Sequence, residues 1–168
     1  MAAESSSSVS TENALVIERI FDAPVEMVWR AWTEPEQFKK WWGPRNFNCP
    51  HAEIDFRVGG KVFAAMQSPD FNDGAPIWST GIYKEIVPME RIVCTDSFAD
   101  ENGNVVPASE YGMEGDVPLE MLHTVTFEDL GGKTRLTVRH EGLPAGEHSE
   151  GASVGWNQSL DKLAELLA

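Results

Sequence analysis

The chain has 168 residues, 42% hydrophobic and 24% charged, with a formal net charge of −14 at pH 7. This composition is typical of one globular domain, and the negative charge repels nucleic-acid phosphates and anionic lipid headgroups. No apolar run approaches the roughly 20 residues of a membrane-spanning helix and no secretory signal is present, which predicts a cytoplasmic protein without a membrane or nucleic-acid partner.

The N-terminal segment Met1–Asn13 is small and polar and includes the serine run Ser5–Ser8. Such a segment cannot bury enough apolar surface to order itself, which predicts a disordered tail over residues 1–13. One domain then covers residues 14–168. Its first strand is predicted to end at Phe21, before an Asp-Ala-Pro turn.

Two short helices are predicted between the first and second strands. The first begins near Pro24, which suits an initial helical turn, and apolar residues follow at helical spacing. The second covers Glu34–Trp42 and ends at Gly43-Pro44. The apolar stripe of the first helix consists of Val25, Val28, Trp29 and Trp32.

The middle of the chain consists of predicted strands that are separated by Gly, Pro, Asn and Asp clusters. Links such as Gly59-Gly60 and Asp129–Gly132 are too short for parallel crossovers, so the sheet is expected to be antiparallel. The six segments are Asn46–Val58, Lys61–Gln67, Ile77–Val87, Arg91–Phe98, Leu119–Phe127 and Lys133–His140.

A long helix is predicted from about Glu147 to the C-terminus. Its apolar residues share one face, which requires a sheet to cover it. These residues are Trp156, Leu160, Leu163 and Leu167. The element order predicts an α+β fold in which a curved antiparallel sheet of about six to seven strands wraps around the C-terminal helix.

Several motifs follow one another between about Leu15 and Leu167. They are Arg19–Trp29, Trp32, Thr33–Glu36, Trp41–Pro44, Asp55–Gly60, Gly81–Pro88, Val125–Phe127, Lys133–Thr137, and Gly155-Trp156 with Leu160–Leu163. Together they resemble the helix-grip, START-like superfamily (SRPBCC, Bet v-like), and within it the group named for the activator of heat-shock-protein-90 ATPase. The resemblance implies the helix-grip fold. Superfamily members include lipid carriers, hormone receptors and polyketide cyclases, so the fold does not fix a function.

A sheet that grips a helix leaves room between them, and we expect a mostly apolar cavity for a small hydrophobic ligand there. If Gly59-Gly60 is a two-residue hairpin loop, Phe56 pairs with Phe63 and both point inward. The predicted ligand-binding residues are Phe56, Phe63, Trp78, Phe98, Met121, His123, His140 and Trp156.

The two histidines in this set belong to the last predicted hairpin. Alternation along the strands places His123 and His140 on the inner face. Pairing Val125 with Leu136 would make them diagonal neighbours, with backbones roughly 7–8 Å apart, so that both could touch one ligand. The favoured alternative is two core histidines that are bonded to separate neighbours.

Signals of catalysis are sparse. The sequence has no HExxH or phosphate-binding glycine motif. Ligand binding is therefore the first hypothesis, and no catalytic residue, metal or other cofactor is predicted. A cyclase- or hydrolase-type enzyme with His123 as general base is the alternative. A metal would need a third ligand such as Cys94 or Asp96.

The long link Ala99–Pro118 is a candidate lid. No Lys or Arg occurs from Ile92 to Gly132, so this link would disfavour strongly anionic ligands if it borders the cavity. A small hydrophobic molecule is the expected partner, and a homodimer or a chaperone partner is left open. The eukaryotic co-chaperone of the resembled group has an additional N-terminal domain without a counterpart here, so the resemblance implies the fold more directly than a chaperone function.

Overall fold

The computed structural model describes residues 6–11, 14–113, 115, 117–144 and 147–168. None of the helices within these residues has the length and apolar character needed to cross a bilayer. The described strands and α-helices are β1 (Ser6–Thr11), β2 (Ala14–Phe21), α1 (Val25–Thr33), α2 (Pro35–Phe38), β3 (Asn48–Ile54), β4 (Lys61–Gln67), β5 (Ile77–Val87), β6 (Arg91–Ala99), β7 (Met121–Asp129), β8 (Thr134–Glu141) and α3 (Glu147–Leu167).

The strands form one antiparallel sheet in the order β1-β2-β8-β7-β6-β5-β4-β3. The sheet curls, and the two short helices lie between β2 and β3 in the chain. Chain order equals sheet order from β3 to β8, so each of these strands pairs with the next. The predicted α+β helix-grip fold is confirmed.

The edge strand β1 differs from the sequence prediction. It pairs with β2 from Ser6 opposite Arg19 to Thr11 opposite Ala14, although the composition predicted no ordered element there. An edge strand is held by backbone hydrogen bonds, which need no apolar side chains, so the sequence carries little signal for it. Residues 1–5 and 12–13 of the predicted tail lie outside the described residues, and the domain boundary at residue 14 stays a prediction.

The second helix is shorter than predicted. Helix α2 ends at Phe38 because the next turns tighten: the N–H groups of Lys40 and Trp41 donate to carbonyls only three residues back. The backbone then turns at Gly43, whose φ of +100° lies in the left-handed region that favours glycine. The predicted apolar stripe of α1 is buried as expected.

The predicted register between β3 and β4 is wrong. Strand β3 ends at Ile54, and residues 55–60 form a loop rather than a two-residue hairpin. Phe63 lies opposite Glu53, three positions before its predicted partner Phe56. Because side chains alternate between faces, this odd shift moves Phe63 to the opposite side of the sheet from the one predicted.

Backbone hydrogen bonds to Tyr83 on β5 fix the loop of residues 55–60. The Gly59 N–H donates to the Tyr83 carbonyl, and the Tyr83 N–H donates to the Gly60 carbonyl. A Cβ atom at Gly60 would lie 2.0 Å from the carbonyl oxygen of Asp55, so only glycine allows this close approach.

The last hairpin also has a different register from the predicted one. Gly131 and Gly132, with φ of +79° and +94°, form a two-residue turn that the Leu130 N–H closes by donating to the Lys133 carbonyl at 2.8 Å. His123 consequently lies directly opposite His140 rather than diagonally. This shift of two residues leaves both side chains on their predicted face.

Helix α3 is fastened to the sheet by apolar packing and by one buried cation. Leu160 and Leu163 are fully buried. Arg19 on β2, which is 3% exposed, donates to the Asp161 carboxylate at 2.6 Å and to the Asn157 side-chain oxygen at 3.0 Å. The charged and apolar contacts together fix the rotation of α3 about its axis.

We expect Leu163→Ala to lower the free energy of unfolding by about 2–5 kcal/mol, because truncating a fully buried leucine loses packing and leaves a cavity. Val154→Ala on the same helix is the control, since Val154 is 58% exposed, and should change stability by less than about 0.5 kcal/mol. Urea denaturation measures both. Equal effects of the two substitutions would contradict the packing of α3 described above.

Candidate ligand-binding site

A cavity of about 640 Å³ lies between the inner face of the sheet and the first half of α3. Most of its lining is apolar, as in sites that bind small molecules. Its apolar walls include Trp42, Met66, Phe71, Ile77, Phe98, Met113, Val117, Met121, Leu143, Ala152 and Trp156.

The cavity exists because the first half of α3 carries small residues. Gly151, Ala152 and Gly155 face it from the first half of the helix, and Ser159 faces it from just beyond the midpoint. Side chains of this size leave the space between helix and sheet unfilled, whereas leucines occupy the corresponding space beside the second half of α3.

One end of the cavity is polar. Asp96 on β6, His123 on β7 and His140 on β8 project into it from three adjacent strands. The imidazole rings of the two histidines are 4.3 Å apart between centroids. Nε2 of His123 lies 3.2 Å from Oδ2 of Asp96, and Nε2 of His140 lies 4.0 Å from the same oxygen. The three side chains thus form a cluster, which is called the polar triad below.

Trp156 fixes the protonation of His140. Its indole N–H donates to Nδ1 of His140 at 3.1 Å, so Nδ1 is an acceptor and the proton of the neutral ring resides on Nε2. Burial and, to a smaller extent, the neighbouring His123 lower the pKa of His140 to about 3 against the opposing effect of Asp96. His140 is therefore neutral near pH 7 and directs an N–H toward Asp96 and the Met121 sulfur, which lies 3.3 Å away.

Asp96 is the charged member of the polar triad. Burial alone would raise the pKa of this carboxyl, but the neighbouring His123 and His140 hold it below its usual value. Nε2 of His123 is close to the carboxylate, yet it is buried without a well-aligned hydrogen bond.

A smaller void of about 60 Å³ adjoins the main cavity. The two spaces share Trp42, Ser79, Asp96 and His123 in their linings. Asp96 and His123 therefore lie where the main cavity meets a smaller, mostly apolar recess, and His140 lines the main cavity beside them.

The polar triad is also one of the two possible metal sites that the sequence suggested, namely the two histidines with Asp96 as the third ligand. Its ligand atoms lie within 4.8 Å of one another, and two imidazoles with one carboxylate can bind zinc or iron. A metal-bound histidine normally donates its second N–H outward, whereas Nδ1 of His140 accepts the Trp156 N–H. This hydrogen bond disfavours metal binding at His140 Nε2. Cys94, the other suggested ligand, stays a thiol because burial raises its pKa to about 12.

The link between β6 and β7 borders the cavity through Met113 and Val117. The Tyr111 hydroxyl connects it to two strands, because it donates to the Ala99 carbonyl and accepts from the Trp78 N–H. Opening of this link as a lid stays a prediction.

Five of the predicted ligand-binding residues line the cavity: Phe98, Met121, His123, His140 and Trp156. The structure brings these five together and separates the other three from them.

Phe56, Phe63 and Trp78 lie elsewhere. Phe56 packs against Trp29 and Tyr83, at ring distances of 5.6 and 5.1 Å. Phe63 and Trp78 stack on each other at 4.8 Å, on the side of the sheet that faces away from the cavity. The wrong register of β4 placed Phe63 inward, whereas Trp78 was selected as an apolar residue on a strand, and apolar character alone does not distinguish the two faces of a sheet.

Asp96 lines the cavity but was not among the predicted ligand-binding residues, although the sequence contained a signal for it. Asp96 lies two residues before Phe98 on β6, so alternation along the strand places both side chains on the same, inner face. Met113, Val117 and Leu143 lie in loops, where no periodic pattern indicates which way a side chain points.

The sequence matches the family described as Activator of Hsp90 ATPase homolog 1-like protein over residues 22–168. Similar solved structures include a Chromobacterium violaceum protein with 34% identity and a TM-score of 0.75, covering 92% of this chain and 96% of that one. An Arthrobacter aurescens protein has 27% identity and a TM-score of 0.77, covering 96% of this chain and 90% of that one. No curated protein sequence matches the chain significantly.

We expect the free energy of unfolding to fall as the pH is lowered through the range from about 6.5 to 3. The folded His140 has a pKa of about 3, whereas an unfolded histidine has about 6.5, so the unfolded chain binds more protons within this window. His140 alone should lower the free energy of unfolding by about 2 kcal/mol when the pH falls from 7 to 5.

Urea denaturation at both pH values, compared between the wild type and His140→Phe, measures this contribution. The control is His51→Phe, because His51 is partly exposed and does not line the cavity. An unchanged pH dependence in His140→Phe would contradict a buried, neutral His140.

Proposed function

The chain belongs to the Activator of Hsp90 ATPase homolog 1-like family, and we propose that it binds a small hydrophobic molecule in the cavity beneath α3. The observation that carries the proposal is the cavity itself, about 640 Å³ of mostly apolar space between sheet and helix. Cavities of this size and lining are typical of small-molecule sites.

The energetics of the cavity favour an apolar ligand. Burying apolar ligand surface contributes about 25 cal/mol per Å², which must exceed the cost of immobilising the ligand. Aromatic and methionine side chains supply the walls, and methionines such as Met66 and Met121 adapt to irregular shapes. Affinity would therefore come mainly from the walls, with the polar triad orienting the ligand.

The chemistry of the described lining residues favours binding over catalysis. Cys94, which lines the smaller void, is a poor nucleophile because burial raises its pKa to about 12. His140 already uses Nδ1 to accept the Trp156 N–H, and its low pKa makes it a weak base. A reaction would therefore depend on His123 and Asp96.

Acid–base catalysis is the second candidate function, because Asp96 lies 3.2 Å from Nε2 of His123. A carboxylate next to an imidazole can stabilise the charged ring while it takes up a proton. Turnover of a hydrophobic compound that is abolished in His123→Gln would favour this second function over simple binding.

We expect the neutral apolar dye N-phenyl-1-naphthylamine to bind with increased fluorescence. Ala152→Phe should weaken this binding at least tenfold, since Ala152 lines the cavity and a phenyl ring there would occupy ligand space. Val154→Phe adds the same ring to the same helix at a position that is 58% exposed, and should leave binding unchanged. A fluorescence titration of each folded variant makes the comparison. Equal affinities of the two variants would show that the dye binds outside the cavity.

A further inference from the structure

The spacing within the polar triad suits a ligand atom that bridges two residues. Nε2 of His140 and Oδ2 of Asp96 are 4.0 Å apart, which is too far for a direct hydrogen bond. An oxygen placed about 2.8 Å from each atom would bond to both.

The bridging group must accept one hydrogen bond and donate another. Nε2 of His140 carries a proton, because Nδ1 accepts the Trp156 N–H. The present neighbour of that N–H is the Met121 sulfur, which is a weak acceptor. Asp96 can only accept as a carboxylate. A hydroxyl group meets both requirements, because it accepts from His140 while donating to Asp96.

A third buried polar atom also lacks an aligned hydrogen bond. Nε2 of His123 has no aligned hydrogen bond among the described residues, although it lies 3.2 Å from the same Asp96 oxygen. A buried polar atom without a hydrogen bond is costly. A ligand oxygen beside Asp96 would also lie near this nitrogen and could reduce that cost.

The charges and hydrogen-bond donors of the cavity together favour an uncharged ligand. Among the described lining residues there is no Lys or Arg, and the ionisable side chains in the main cavity are Asp96, His123, His140 and His148. An anion would be repelled by Asp96 without gaining a cationic partner. An ammonium group would be attracted by Asp96, but it would offer no acceptor to the N–H of His140.

We propose that the cavity recognises an uncharged molecule with a hydroxyl group on an apolar body, an alcohol or a phenol, whose oxygen bridges His140 and Asp96. This inference rests on the proposed function, because it specifies the class of molecule that the apolar cavity binds. The hydroxyl bonds to the polar triad while the apolar body fills the space beneath α3.

Four probes with one naphthalene body test the inference: naphthalene, 2-naphthol, 2-naphthoate and 2-naphthylmethylammonium. We expect the wild type at pH 7 to bind 2-naphthol about tenfold more tightly than naphthalene, the gain typical of added hydrogen bonds to polar and charged partners. Both ions should bind more weakly than 2-naphthol. Titrations followed by ¹H–¹⁵N NMR give the dissociation constants.

Substitutions in the polar triad should remove this preference. His140→Phe keeps a ring but loses the N–H, and Asp96→Leu keeps a similar shape but loses both oxygens. In each variant 2-naphthol and naphthalene should bind with similar affinity, and retained naphthalene binding shows that the cavity is intact. His51→Phe, a histidine outside the cavity lining, should keep the full preference.

The outcomes separate the two proposals. Equal wild-type affinities for 2-naphthol and naphthalene would overturn the hydroxyl inference and leave hydrophobic binding in place. Binding of none of the four probes would instead overturn the proposed function. Tighter binding of either ion, or stoichiometric Zn²⁺ binding that Asp96→Leu abolishes, would also overturn the hydroxyl inference, the latter by identifying the polar triad as a metal site.

Discussion

The position of Trp156 connects the core of this protein to its cavity. The Trp156 ring stacks on Trp32 of α1 at 6.1 Å and meets Trp42 edge to face at 5.5 Å. Its N–H donates to His140. The same ring therefore holds α3 against α1 and the turn that follows α2, and it determines which nitrogen of His140 carries the proton. Because packing fixes the ring, the polarity of the site follows from the fold rather than from a flexible side chain.

Helix α3 has two halves with different roles. Its second half buries Leu160, Leu163 and Ala164, which stabilise the domain as ordinary core residues. Its first half presents small residues such as Gly151 and Gly155 to the cavity. A core filled along the whole helix would be more stable, because unfilled space forfeits dispersion contacts. The small residues thus leave space for a ligand and lower the stability of the domain.

The sequence predicted the elements well and the registers poorly, for a physical reason. Apolar alternation identifies a strand, but pairing depends on turn geometry, which a Gly-Gly pair leaves ambiguous. The error of two residues in the last hairpin preserved the faces of His123 and His140. The error of three residues before β4 reversed the face of Phe63. A large aromatic side chain also need not point into the core. Phe63 and Trp78 stack on each other on the outer face of the sheet, and sequence alternation does not reveal such a pair.

Selectivity in such a cavity depends on its few polar atoms more than on its many apolar ones. Apolar walls accept any body of suitable size, because one methylene more or less changes binding by only a few kcal/mol at most. A buried N–H or carboxylate, in contrast, discriminates strongly against a ligand that leaves it unpaired. His140 and Asp96 are such groups: both line the main cavity, and Asp96 also lines the smaller recess. A ligand that reaches this recess lies beside Asp96, so its polar group must form a hydrogen bond there while its apolar body is already buried in the main cavity.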